Sequence, residues 1–184
     1  MLQAKLISHG ASTLANLKAG TLIRLPNTAL LEEEMRDASS ILDPKGIRLS
    51  LLQSSADSVL LFMYREKRLS GILNREDIQC FLSQYGYYDF SVDSAIRQLS
   101  ERIARTPDDC FPHEIGIFLD YPLADVIAFI LNKGQHCVCC GCWKAYTDRC
   151  GALRKFAQFT KCREVYMRLF AEGVSLERLA VRSY

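Results

Sequence analysis

The chain has 184 residues, 49% apolar and 10% aromatic, with 23 basic and 21 acidic side chains for a formal charge of +2. A chain of this length buries roughly 70% of its unfolded surface and needs no disulfide or metal to fold, and its apolar content excludes disorder. Balanced, interspersed charge speaks against a nucleic acid or an anionic membrane surface as partner, because both need a concentrated positive patch.

No repeat, low-complexity run or long Pro/Gly/Ser linker interrupts the sequence, so residues 1–184 read as a single domain. Ser12 is placed to cap a short helix ending at Gly20, with Leu14 and Leu17 inward. Thr21 to Leu25 is a short strand. Asn27 then caps a helix whose Leu31, Met35, Ala38 and Leu42 step along one face until Pro44 and Gly46. Ile47, Leu49 and Leu51 alternate with Arg48 and Ser50, the period of a half-buried strand. Val59 to Tyr64 is apolar throughout, as in a strand covered on both faces, and the short polar segment before it makes the two strands a hairpin.

Asn74 caps a helix carrying Ile78, Phe81, Leu82 and Tyr85, closed by Gly86. The next helix sets Val92, Ala95, Ile96, Leu99 and Ile103 on one stripe and stops at Pro107. Pro112 suits the first turn of a short helix through Leu119, and Pro122 opens another that runs to Gly134. Cys142 to Tyr146 reads as a strand. Asp148 caps the longest helix, with Ala152, Phe156, Phe159, Cys162, Tyr166 and Leu169 inward and Gly173 at its end. This order implies an α+β fold: a small mixed or antiparallel sheet of about four strands, split β-α-β-like, covered by several helices.

The first residues show no apolar core followed by a small-residue cleavage site, so a cytoplasmic location is expected. The longest apolar stretch, 115–131, is broken by Asp120, Pro122 and Asp125 and is too short to cross a bilayer. In a reducing compartment the eight cysteines, at 80, 110, 137, 139, 140, 142, 150 and 162, are thiols, which favours metal or redox chemistry over a disulfide framework.

Four of those thiols, Cys137, Cys139, Cys140 and Cys142, fall within six residues. Two C-x-x-C spacings overlap there, and each lets one turn aim two thiolates at a tetrahedral ion, with Gly141 lending backbone freedom. A single hexapeptide cannot readily supply all the ligands, because alternate residues of an extended segment point apart. Cys162, Cys110, His113 and His136 are the candidates for the remainder. The expected metal set is Cys137, Cys139, Cys142 and Cys162, holding zinc or an iron-sulfur cluster; spacing does not choose between them. Redox thiols, or small apolar residues at a loop-strand junction, are the competing readings.

A second expectation is an enzyme or small-ligand-binding pocket made from His9, Lys18, His113, Glu114, Trp143 and Lys144, which requires four segments to converge. His113 and Glu114 stand in the first turn of an expected helix, as a base or ligand pair or as a carboxylate favoured by the helix dipole; no H-E-x-x-H accompanies them. The segment from His9 to Thr13 leads into an expected helix N-terminus where free N–H groups and Lys18 can hold an anion, and an ordinary serine cap is the plainer alternative. A third expectation is an interaction module with an exposed apolar patch.

The segments Phe111-Pro112-His113-Glu114-Ile115-Gly116-Ile117-Phe118-Leu119, Tyr121-Pro122-Leu123, Asp125-Val126, Cys142-Trp143-Lys144-Ala145-Tyr146, Lys161-Cys162 and His9 to Lys18 resemble an uncharacterised bacterial family, domain of unknown function number thirty-seven ninety-three. The resemblance covers most of the chain and implies cysteines at Cys139, Cys142 and Cys162, with Cys140 an extra. This sequence departs from the family pattern at Gly10, where cysteine is frequent, at Ser12, where proline is usual, and at Asp120, where glycine is usual. No activity comes with the resemblance.

Overall fold

A computed structural model describes residues 2–106 and 111–182, so Pro107 and Cys110 lie outside the described residues. The elements are α1 (Leu2–Leu14), β1 (Gly20–Pro26), α2 (Leu31–Leu42), β2 (Ile47–Ser54), β3 (Ser58–Arg65), α3 (Glu66–Leu73), α4 (Glu76–Ser83), α5 (Val92–Arg105), α6 (Ile115–Phe118), α7 (Leu123–Leu131), β4 (Cys139–Cys140), β5 (Lys144–Ala145), α8 (Arg149–Ala171) and α9 (Leu176–Leu179). Among the described residues no helix is long and apolar enough to cross a membrane.

β3 is the centre of a three-stranded antiparallel sheet in the order β1-β3-β2. Because β1 and β2 each run antiparallel to β3, they are parallel to one another, joined through α2 with β3 inserted between them. That is the split β-α-β arrangement of an α+β fold. Side chains alternate along a strand, and β3 uses both sets. Val59, Leu61 and Met63 pack with Leu6, Ala38 and Leu179 on one face, while Leu60, Phe62 and Tyr64 pack with Leu69, Leu82 and Leu99 on the other. Helices cover both faces, which is why the strand carries no polar alternation.

Several details differ from expectation. The segment expected as a fourth strand of the sheet forms a separate two-stranded ribbon, β4 paired with β5. A bulge between Leu51 and Gln53 turns Leu52 into the core and leaves Leu51 exposed. α3 follows β3 directly where no helix was expected, and Asn74 closes it rather than opening the next one. Asn27 does not cap α2; its Nδ2 donates to Ser55 O at 2.7 Å and ties β1 to the hairpin turn. Ser12 lies inside α1, so the His9 to Thr13 segment is not a helix N-terminus and offers no free N–H groups to an anion. Asp148 does cap α8, accepting from Gly151 N at 2.8 Å.

The end of α1 is held by a buried cation. Arg65 is fully buried, and its guanidinium donates to Thr13 O, Leu14 O and Val181 O, joining β3 to the last turn of α1 and to the C-terminal segment. Thr13 O also accepts from Asn16 N at 3.2 Å and Leu14 O from Val181 N at 3.0 Å, so the guanidinium fork fills the second acceptor position of each carbonyl.

Candidate functional site

The cysteine ribbon is anchored to the rest of the protein by one carboxylate. Asp125, in the first turn of α7, is 3% exposed. Its Oδ2 accepts from Trp143 Nε1 at 2.8 Å, and its Oδ1 accepts from Tyr146 N, Thr147 N and Thr147 Oγ1 at 2.9–3.0 Å. Burial pushes the Asp125 pKa up, but those hydrogen bonds outweigh it and hold the carboxyl below its ordinary value. Trp143 stacks on Tyr121 at 5.3 Å and meets the edge of Phe156 at 4.5 Å, forming a small aromatic core under the ribbon. Gly141 is needed there for space: a Cβ would lie 2.4 Å from the Phe156 ring.

Two cavities lie near Tyr121 and the ribbon: Cys142 and Lys18, whose ammonium sits over the Tyr121 ring, line one, and Tyr121 and Trp143 line the other. The first, about 300 Å³, lies between α1 and α8 and is lined by His9, Ser12, Lys18, Thr21, Cys142 and Arg163 among others. The second, about 170 Å³, lies beside α7 and is lined by His113, Val126, Phe129, Trp143 and Lys144 among others. The six residues of the expected ligand pocket are therefore divided. His9 and Lys18 belong to the first cavity, and His113, Trp143 and Lys144 to the second. Glu114 lines neither: it is buried in an ion pair with Arg102, whose Nη1 also donates to Tyr85 O.

Lys18 is the unusual group of the first cavity. It is 9% exposed, and among the described residues its ammonium has no hydrogen bond or ion pair, only the face of Tyr121 at 4.9 Å. Burial pulls its pKa from 10.5 down to about 8, against the opposing influence of Cys142 and Asp120. Asp120 is engaged elsewhere, accepting from Ala19 N at 3.1 Å and from Arg68 at 2.8 Å. His9 lies at the rim, its pKa lowered by burial and by Lys5 and Arg163. Tyr121, its hydroxyl donating to Cys142 O at 2.8 Å, has its pKa pushed up to about 12 by burial.

The cysteines take several environments. Cys139 pairs with Ala145 and packs on the Trp143 cluster, with its sulfur 4.0 Å from Arg149 O. Cys140 and Cys142 are exposed, and Cys137 and Cys162 are half-buried. Burial raises the Cys162 thiol pKa. Among the described residues no group of three or more His, Cys, Asp and Glu side chains is gathered to hold a metal ion. A cysteine at position 10, which the resemblance gives as frequent, would not join them, because a Cβ at Gly10 points at Met63, 1.9 Å from its Cε, in the core.

Sequence reading missed Arg65 and the anchoring role of Asp125. It met Asp125 as a charge interrupting the apolar stretch 115–131, and nothing in spacing shows that its partners lie about twenty residues downstream. The most exposed large apolar residues among the described ones are Leu30 just before α2, Tyr88 between α4 and α5, and Leu131 at the end of α7.

No curated protein and no solved structure matches this chain. A family model does match, over residues 6–180, described as a protein of unknown function, DUF3793. Its span takes in the sheet, the ribbon and both cavities, and the chain belongs to the DUF3793 family.

Proposed function

We propose that this chain is a small-ligand-binding protein whose ligand is an anion held on Lys18 in the cavity between α1 and α8. The observation that carries the reading is a buried lysine in the lining of a cavity, its ammonium without a hydrogen bond or ion pair among the described residues. An unpaired buried charge is unfavourable, and an anion entering the cavity removes that penalty. The wall suits such a guest: Ser12 brings a hydroxyl and Arg163 adds a cation at the side, with Glu164 as the acidic exception, while the hydroxyls of Ser8 and Thr21 are shared with Lys5 O and Thr13 Oγ1. About 300 Å³ accommodates a small phosphate ester or dicarboxylate.

Calorimetric titration with inorganic phosphate and with succinate tests this reading. Saturable binding of either, at a Kd of about 1 mM or tighter, that disappears in Lys18→Met supports it. The absence of binding by both, or binding unchanged in Lys18→Met, overturns it.

A second reading places zinc or an iron-sulfur centre on the ribbon through Cys139 and Cys142, with Cys137 and Cys162 in support. It is favoured by the concentration of thiols on one two-stranded ribbon, two of them exposed. Their side chains must turn to converge on a common ion. Metal analysis of untagged protein purified anaerobically tests it: near one equivalent supports it, and less than about a tenth of an equivalent ends it, given how tightly structural thiolate sites hold zinc.

A further inference from the structure

The cavity beside α7 is chemically unlike its neighbour. Its walls are Ile115, Gly116, Val126 and three aromatic side chains, Tyr121, Phe129 and Trp143. The one carboxylate in the wall, Asp125, accepts four hydrogen bonds from the ribbon, so both of its oxygens are committed to holding the ribbon in place. The polar groups that remain are at the mouth. His113 is exposed and meets the Phe129 ring edge-on at 5.0 Å. Lys144 is exposed, with Nζ 2.7 Å from Gly134 O and 5.9 Å from the centre of Phe129. An ammonium has three donors, and among the described residues one of them is taken there, by Gly134 O.

We infer that this cavity is a separate binding site for a single aromatic ring carrying an anionic group. Its volume of about 170 Å³ compares with the engineered apolar cavity of about 150 Å³ that takes up benzene. The three rings of the wall offer edge and face contacts to an aromatic guest. Lys144 at the mouth then places the anionic substituent of the ring toward solvent, where its charge is not desolvated. The ligand of this site is thus amphipathic, apolar inside and negative outside, whereas the Lys18 cavity receives its anion on a buried cation.

Trp143 is the only tryptophan of the chain, so its fluorescence reports on this cavity directly. Benzoate, neutral benzamide and ring-free acetate are the probes. The expected result is a saturable change with benzoate, a weaker one with benzamide and none with acetate. Lys144→Met lowers benzoate affinity about three- to fivefold, as for a partly exposed charge pair, and leaves benzamide unaffected. Inorganic phosphate leaves the benzoate titration unchanged. Val126→Phe, which fills the cavity, abolishes the change if its melting curve remains cooperative. Should that variant not fold, nuclear Overhauser contacts from benzoate ring protons to the Val126 methyl groups in the native protein replace it. No saturable change with benzoate, equal affinity for benzamide, or displacement of benzoate by phosphate overturns the inference.

Discussion

Lys18 holds its ammonium 4.9 Å from the centre of the Tyr121 ring, and the hydroxyl of that ring donates to Cys142 O at 2.8 Å. The cation of α1's trailing segment, the loop before α7 and the cysteine ribbon are thereby brought to one place. The ring shields the ammonium from solvent and gives it only partial electrostatic compensation. Stability and binding should both register that arrangement.

The stability consequence has a definite sign. Burial lowers the Lys18 pKa to about 8 from 10.5, so between those values the unfolded chain carries more protons, and folding becomes more favourable as pH rises. Below pH 8 the full penalty of the buried charge is present. Lys18→Met should therefore stabilise the protein at pH 7, by up to about 3 kcal/mol. The gain should shrink through the same window and be absent near pH 11. Thermal melts of both proteins from pH 6 to 11 check it, and a variant less stable at every pH contradicts it.

Asp125 should act as the clasp of the ribbon. Asp125→Asn keeps the shape but turns an amide N–H₂ toward a donor, either Trp143 Nε1 or the Tyr146 and Thr147 groups. A loss of about 2–3 kcal/mol is expected for such a buried mismatch, with a red shift of Trp143 emission as the ring gains water. Because hydrogen bonding holds the native carboxyl below 3.8, its contribution is complete above about pH 4 and is lost as pH falls through the folded pKa. Urea unfolding with fluorescence detection measures both effects.

Asp120 sits at φ +62°, in the left-handed region, and its carboxylate ties Ala19 N to Arg68. Glycine, which the resemblance gives as usual here, meets the backbone requirement without the side chain. Asp120→Ala should lose the bonds and keep the strain, costing about 2–3 kcal/mol. Asp120→Gly should be milder by about 1 kcal/mol. Equal losses in chemical denaturation would show that the backbone conformation contributes nothing.

Arg65 should be among the least replaceable side chains of the fold. Arg65→Met leaves the carbonyls of Thr13 and Leu14 with one backbone donor each, an expected loss of about 2–3 kcal/mol. Arg65→Lys keeps the charge but cannot reach three carbonyls with one fork, so it should recover less than half of that. Denaturation midpoints of the two variants decide the point.

The split β-α-β core was legible because its periods are unambiguous: β3 is apolar on both faces, and α2 repeats Leu31, Met35, Ala38 and Leu42 at helical spacing. α1 was displaced because Ser12 resembles a cap and Gly10 lies mid-helix, where it admits Met63 rather than ending the turn. α3 escaped notice because eight residues directly after a strand leave no punctuation to read. In the candidate site, Lys18, His9, Trp143 and Lys144 were recognisable as chemistry-bearing residues. Their division between two cavities was not, since it depends on how α1, α7, α8 and the ribbon pack in three dimensions. Nor does sequence distinguish one buried lysine among 23 basic residues.

The most direct measurement of the central claim is the titration of the Lys18 ammonium, followed by nuclear magnetic resonance with and without saturating inorganic phosphate. A midpoint near 8 is expected in the free protein, with an upward displacement when phosphate is bound, because the anion favours the charged amine. A midpoint at the ordinary lysine value, unmoved by phosphate, would contradict it.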